Sequence, residues 1–170
     1  MGGLSWKNCA DKRTDPCACN RPVLVSEVTD LFDTQNTTVI CAGPHLTEIH
    51  VSGNGLKGTL PDAMTQLTAL KKFDGDGSQF AHGALDVFSK IMSLQYLWLE
   101  GCSLIGTIPD TFPSQLHTLY LNGNSLNGSI PESFAELFNL KKLYLGENSS
   151  RPQCPIFHSP TILNVLFRNA

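Results

Sequence analysis

The chain is 170 residues long with a formal net charge of −3, and 16% of its residues are charged. That length suits one domain, and the charge fraction lies below the roughly 25% usual for soluble domains. A weakly acidic chain lacks the basic stripe that nucleic-acid binding requires, and no apolar run reaches the ~18 residues of a membrane span.

The first segment is set apart by its cysteines. Cys9, Cys17, Cys19 and Cys41 crowd into the opening stretch, with Cys102 and Cys154 far downstream. Such clustering predicts an oxidised cap over residues 1–45, and hence an extracellular setting. Zinc is the weaker reading, because Cys17-x-Cys19 is tighter than a normal ligand pair and no His pair follows. Two bridges are expected among the four; Cys17 and Cys19 do not pair with each other, and which of them takes Cys41 is open. Residues 23–32 read as an amphipathic helix within the cap. Met1-Gly2-Gly3 has neither the charged nor the apolar region of a secretory signal. The start at Leu4-Ser5-Trp6 has the character of mid-module sequence, so an upstream signal is expected to have been removed. Sequons at Asn36, Asn127 and Asn148 add weak support for secretion.

From residue 46 the sequence repeats itself. One copy reads Leu46-x-x-Ile49-x-Val51-x-x-Asn54-x-Leu56-x-Gly58-x-Leu60-Pro61. Two more begin at Leu94 and Leu116 and close on Gly106-x-Ile108-Pro109 and Gly128-x-Ile130-Pro131. Weaker copies run Leu70, Phe73, Gly75, Ser78, Phe80 and Leu140, Leu143, Leu145, Asn148, and Ile162, Val165 and Phe167 begin a sixth. The Asn-type positions 54, 78, 102, 124, 148 and 170 are separated by 24, 24, 22, 24 and 22 residues. A period this steady means a solenoid, in which each turn buries its apolar face only by stacking on its neighbours. The predicted fold is therefore an α/β solenoid over residues 46–170, about five coils plus the start of a sixth, with parallel strands on its concave face. Asn at the bend is expected to satisfy buried backbone groups, and Gly-x-Ile-Pro to supply a second extended stretch. Asp110-Thr111-Phe112 and residues 132–137 fit helical turns on the convex side.

These motifs resemble the leucine-rich-repeat family, and the Leu-x-Gly-x-Ile-Pro tail resembles its plant-type subclass, known from receptor-kinase ectodomains and polygalacturonase inhibitors. Similar repeats occur in protozoan surface and cyst-wall proteins. Trp6, Asp15-Pro16-Cys17 and Cys41 resemble that subclass's N-terminal cap. The second coil departs from the pattern, with Ala81-His82-Gly83-Ala84-Leu85 in place of the Gly-x-Ile-Pro tail. No capping pattern closes the C-terminal end, which implies either further chain or a covering partner.

Strand alternation places one exposed residue per coil in a file of His50, Asp74, Trp98, Tyr120, Tyr144 and Leu166. A neighbouring file holds Ser52, Asp76, Glu100, Asn122, Gly146 and Arg168. Trp98, Tyr120 and Tyr144 predict an aromatic strip suited to anchoring a peptide or stacking a sugar, against the plainer possibility that the rings only cover the sheet. Asp74, Asp76 and Glu100 beside it can meet a basic group or calcium, although a solvated acidic face is the simpler expectation. Cys102 fits a small buried position at the bend.

No nucleophile elbow, phosphate-binding loop or His-Glu-x-x-His motif is present, and His45, His50, His82, His117 and His158 show no ligand spacing. No catalytic residue, metal or cofactor is expected, and a shallow sheet is a poor place to shift a pKa for acid–base work. The reading is a secreted or cell-surface recognition module whose concave residues His50, Asp74, Asp76, Trp98, Glu100, Tyr120, Asn122 and Tyr144 bind a protein, peptide or carbohydrate. The alternative is a wall, coat or cyst-matrix component that binds polysaccharide and self-associates through its C-terminal end.

Overall fold

The computed structural model describes residues 38–149. The expected helix at 23–32, Cys9, Cys17, Cys19, Asn36, Cys154, Leu166, Arg168 and the sixth coil lie outside the described residues. In chain order the elements are β1 (Thr38–Ala42), β2 (His45–His50), β3 (Lys57–Gly58), a 3-10 turn (Asp62–Gln66), β4 (Lys72–Asp74), β5 (Gln79–Phe80), α1 (Ala84–Ser89), β6 (Tyr96–Trp98), β7 (Ile105–Thr107), β8 (Thr118–Tyr120), β9 (Ser125–Asn127), a second 3-10 turn (Glu132–Glu136) and β10 (Lys142–Tyr144).

One strand per coil stacks into a six-stranded sheet of order β1-β2-β4-β6-β8-β10. The strands from β2 onward are parallel and pair without a slip: Ile49, Phe73, Leu97, Leu119 and Leu143 lie side by side. These strands are short because only the centre of each Leu-x-x-Leu-x-Leu unit is straight before the chain bends away. Alternation sends Leu97 and Leu99 inward, both fully buried, and leaves Trp98 between them on the open face. Leu94, Leu116, Leu119 and Leu121 are also fully buried, and each such side chain contributes about 1.5–3 kcal/mol of burial.

The first strand departs from the parallel pattern. β1 runs antiparallel to β2, with an irregularity between Ile40 and Cys41. The segment precedes the repeat and carries no repeat motif, but its β-branched run Thr38-Val39-Ile40 and its turn at Gly43-Pro44 make a hairpin. It covers the edge of the sheet that β2 would otherwise expose.

The Asn positions hold consecutive coils together. Asn124 Oδ1 accepts from the backbone N–H groups of Cys102 and Leu104, each at 2.9 Å, in the coil before it. Its Nδ2 donates to the carbonyls of Leu99 at 2.7 Å and Leu121 at 2.9 Å. Asn148 repeats the arrangement one coil later, accepting from Leu126 N–H and donating to the carbonyls of Leu121 and Leu145. The variant residues do less. The Cys102 thiol donates to Gly75 O at 3.1 Å, and the buried Ser78 hydroxyl has no partner.

The second coil is built differently from its neighbours. Gly75 occupies the strand-end position that is Val51, Leu99, Leu121 or Leu145 elsewhere, as the matching backbone bonds show. The vacated volume is filled by rings. Phe73 lies 4.6 Å from Phe88 and 6.3 Å from Phe80, centroid to centroid. A Cβ at Gly75 would come within 2.8 Å of the Phe73 ring and 3.1 Å of Phe80. Downstream, the segment without Gly-x-Ile-Pro turns into α1, and the small outer ladder breaks there into two separate pairs, β3–β5 and β7–β9.

The convex turn expected at residues 132–137 is present as the second 3-10 turn. The one expected at Asp110-Thr111-Phe112 is absent; those residues are irregular. Two causes combine. Pro113 disfavours helical backbone at Phe112, and this coil has 22 residues where its neighbours have 24, too few for an extra turn.

Replacing Asn124 with Ala orphans the Cys102 and Leu104 N–H groups and the Leu99 carbonyl, while Leu121 O keeps Asn148, and each buried group costs about 1–3 kcal/mol when unpaired. The variant is expected to lose at least about 3 kcal/mol in urea unfolding, while Ser125→Ala, at an exposed site, changes little. Equal midpoints for the two would show that the amide ladder is not structural.

Candidate functional site

The open face of the sheet is defined by which side chains alternation pushes out of the core. His50, Asp74, Trp98, Tyr120 and Tyr144 are direct cross-strand neighbours, in register from β2 to β10. All five are half-buried, with enough free surface to meet a partner. Backbone bonds that continue the ladder past the strand ends bring Ser52, Asp76, Glu100, Asn122 and Gly146 alongside one another. Asn122 is less available than alternation implies: it is half-buried, and its side-chain oxygen is enclosed without a hydrogen-bond partner.

The aromatic rings pack as two groups. Tyr120 and Tyr144 meet edge to face at 4.3 Å. Trp98 stacks on Tyr96 of its own strand, at 5.7 Å and 12°. Tyr96 in turn stacks on His117 at 5.6 Å, with Lys72 Nζ 5.8 Å from its ring centre. Tyr96 belongs to a third outward file, with Glu48, Lys72, Thr118 and Lys142. The sequence reading passed over that file by taking only the residues between and after the last two core positions. The same alternation, carried one step back, would have found it.

Charge is unevenly distributed along this face. At the first coils, Glu48 accepts from Lys72 Nζ at 3.0 Å and bonds His50 Nε2 at 3.2 Å. Burial raises the Glu48 carboxyl, but Lys72 and His50 together outweigh it and hold the group below its usual value. His50 Nδ1 also lies 3.7 Å from Asp74. One coil on, the balance changes. Asp76 Oδ1 accepts the Glu100 backbone N–H at 2.7 Å, and the Asp76 N–H reaches Asp74 Oδ1 at 3.4 Å. Among the described residues no basic side chain pairs with Asp76 or Glu100. Burial pushes Asp76 up to about 6, with the Glu100 N–H opposing the rise and the Asp74 and Glu100 carboxylates adding to it. The Tyr120 hydroxyl is also raised, by burial first and then by Tyr144, with Glu100 and Asp76 contributing. Acids and rings thus share one electrostatic neighbourhood.

Among the described residues no group of three or more His, Cys, Asp or Glu is placed to hold a metal ion. Cys102 is fully buried and its thiol is pushed up to about 12 by that burial, the profile of a packing residue. Cys41 is half-buried on β1, and the remaining expected cap cysteines lie outside the described residues. Of the sequons, Asn127 is exposed on β9, whereas the Asn148 amide is engaged in the ladder.

One short parallel strand per coil, an asparagine ladder and a Gly-x-Ile-Pro return define a leucine-rich-repeat solenoid. The Leucine Rich Repeat family model matches residues 45–67, 93–114 and 115–137, skipping the remodelled second coil. The chain thus carries leucine-rich repeats at those positions, and the proteins it is similar to include plant receptor ectodomains and a plant ice-binding protein. It is 33% identical over 82 residues to the serine/threonine-protein kinase BRI1-like 2 of Arabidopsis thaliana, a match that takes in 48% of this chain and spans only 7% of the kinase. The crystal structure of the BIR2 ectodomain from Arabidopsis thaliana aligns with a TM-score of 0.61 at 25% identity, over 65% of this chain and 60% of that one. The plant peptide hormone receptor RGFR1 in complex with RGF2 aligns with a TM-score of 0.57 at 27% identity, over 61% of this chain and 17% of the receptor.

The Asp76 shift has a sign that melting can test. A raised carboxyl pKa means the folded state keeps a proton that the unfolded state releases, so stability falls as pH rises from the ordinary 3.8 to about 6. Asp76→Asn keeps an acceptor for the Glu100 N–H and removes the charge. It is expected to raise Tm at pH 7.5, with the gain shrinking toward pH 4. A gain that does not depend on pH would mean the carboxylate is not strained by its neighbours.

Proposed function

We propose that this chain is an extracellular recognition module whose concave sheet face binds a protein or peptide ligand. The observation that carries the reading is the in-register file of half-buried Trp98, Tyr120 and Tyr144 on an open sheet face. Large rings held by a rigid scaffold are the usual anchors of a binding surface. The plant ectodomains it resembles supply independent support, one of them a peptide hormone receptor in complex with its partner. Fold alone does not select a ligand, so the case rests on the face.

Peptide is favoured over polysaccharide by how the rings are used. Stacking a sugar needs a free ring face, and the Tyr96 ring already stacks with Trp98 and His117. Tyr120 and Tyr144 present a tilted pair in place of a flat platform. The face offers edges and hydroxyls, which suit side chains and backbone. Binding, not catalysis, is the activity proposed, and the cap at 1–45 with bridged Cys9, Cys17, Cys19 and Cys41 is its expected N-terminal closure.

Selection of a random-peptide display library against the full chain tests this. Enriched peptides are expected to lose at least ten-fold in affinity on Trp98→Ala and Tyr144→Ala, and to be indifferent to Phe138→Ala, which is 72% exposed and lies off this face. Trp98→Ala is expected to cost less than about 2 kcal/mol of stability, below the about 3–5 kcal/mol of a core aromatic. Retention on insoluble glycans with concentration-dependent self-association, and no enriched peptide, would support the matrix role instead.

Secretion is proposed on the same grounds, and glycan mapping after expression in a secretory host checks it. Asn127 is expected to be occupied and Asn148 bare, since a glycan replaces one of the two Nδ2 hydrogens that bond Leu121 and Leu145 and needs room inside the ladder. A glycan on Asn148 in folded protein would contradict the ladder assignment.

A further inference from the structure

Resting on that reading of the concave face, we infer that its ligand is a peptide carrying a basic residue about three positions from an aromatic or large aliphatic one, laid extended along the solenoid axis. Charge complementarity sets the first half of the motif. Asp74, Asp76 and Glu100 converge on coils two and three, and among the described residues the one basic side chain beside them is His50, 3.7 Å from Asp74. The Lys72 ammonium is already committed to Glu48. A half-buried carboxylate pressed by two others is costly in the free protein, as the rise of Asp76 records. A guanidinium or ammonium seated there relieves that repulsion in a partly desolvated setting, where a charge pair contributes more than it does at an open surface.

Geometry sets the second half. Tyr120 and Tyr144 stand on coils four and five, in register with Trp98 and meeting at 4.3 Å, so they offer an apolar seat farther along the same face. The centre of the acids and the centre of the tyrosines are separated by two coils. Two strand spacings make about 10 Å, and an extended peptide covers that in about three residues. Trp98 lies between the two seats and forms their shared wall.

The experiment uses synthetic twelve-residue peptides on a Ser/Gly background, each with one Arg and one Phe, the two placed one to six positions apart. Binding to the full chain is followed by calorimetry and by Trp fluorescence. Affinity is expected to peak at a separation of three, to fall at least ten-fold when Arg is replaced by citrulline or Glu, and to fall similarly in the Asp76→Asn/Glu100→Gln protein. Added salt is expected to weaken the Arg peptide and leave the citrulline peptide unchanged. Equal binding by the Glu peptide, a flat dependence on separation, or indifference to the double substitution overturns the motif. If that happens while display-selected peptides still lose affinity on Trp98→Ala, the concave face remains the binding surface and only its charge preference is wrong. If no peptide from either source responds to Trp98→Ala, both readings fall.

Discussion

Each coil of this solenoid must bend at the end of a buried strand, and bending there turns backbone N–H and C=O groups toward a core that has no water to satisfy them. The side-chain amides of Asn124 and Asn148 meet that requirement, each accepting from the previous coil and donating to carbonyls of two coils. An amide suits the position because it has both an acceptor oxygen and donor hydrogens on one short arm. The leucines can then stack without leaving an unpaired polar group beside them, and the strand register that places the outward residues follows.

Register is what gives the binding face its character. Parallel pairing without slips means that a residue's place in the repeat fixes its place on the surface, so chemistry of one kind can be set beside chemistry of another simply by its coil number. Here that ordering runs from the Glu48–Lys72–His50 network, through Asp74 beside His50 and then Asp76 and Glu100, which have no basic partner among the described residues, to the tyrosine pair. A rigid sheet presents these groups with little entropy left to lose on binding, which is the main advantage of such a scaffold over a loop.

Much of this was legible in the sequence, because a repeat converts one-dimensional spacing into three-dimensional neighbours. The interval between Asn124 and Asn148 and the alternation around Leu97 and Leu99 were enough to line up His50, Asp74, Trp98, Tyr120 and Tyr144. What the spacing did not carry was anything set by side-chain volume or by departure from the repeat. The antiparallel strand at Thr38–Ala42 belongs to no repeat and is defined by pairing with its neighbour. The Tyr96 stack depends on ring orientation, which alternation does not specify. The absent helical turn at Asp110-Thr111-Phe112 was masked by the likeness of this coil to the longer one after it, although Pro113 and the short interval were both visible.

Glycine at 75, where neighbouring coils carry Val51, Leu99 and Leu121, restricts which substitutions the second coil tolerates. Gly75, Phe73 and Phe80 occupy one volume among them, and a Cβ at 75 meets rings on both sides. Placing a leucine at 75 with both rings present forces overpacking, and trimming a ring first opens a cavity at a cost of about 3–5 kcal/mol. Every single-residue route between the two packings therefore passes through a damaged intermediate, and the three positions are coupled in the sense that no substitution at one can be judged without the other two. The second coil is in this respect bound to its own packing. Its neighbours can drift one leucine at a time, whereas it can move only by coordinated replacement.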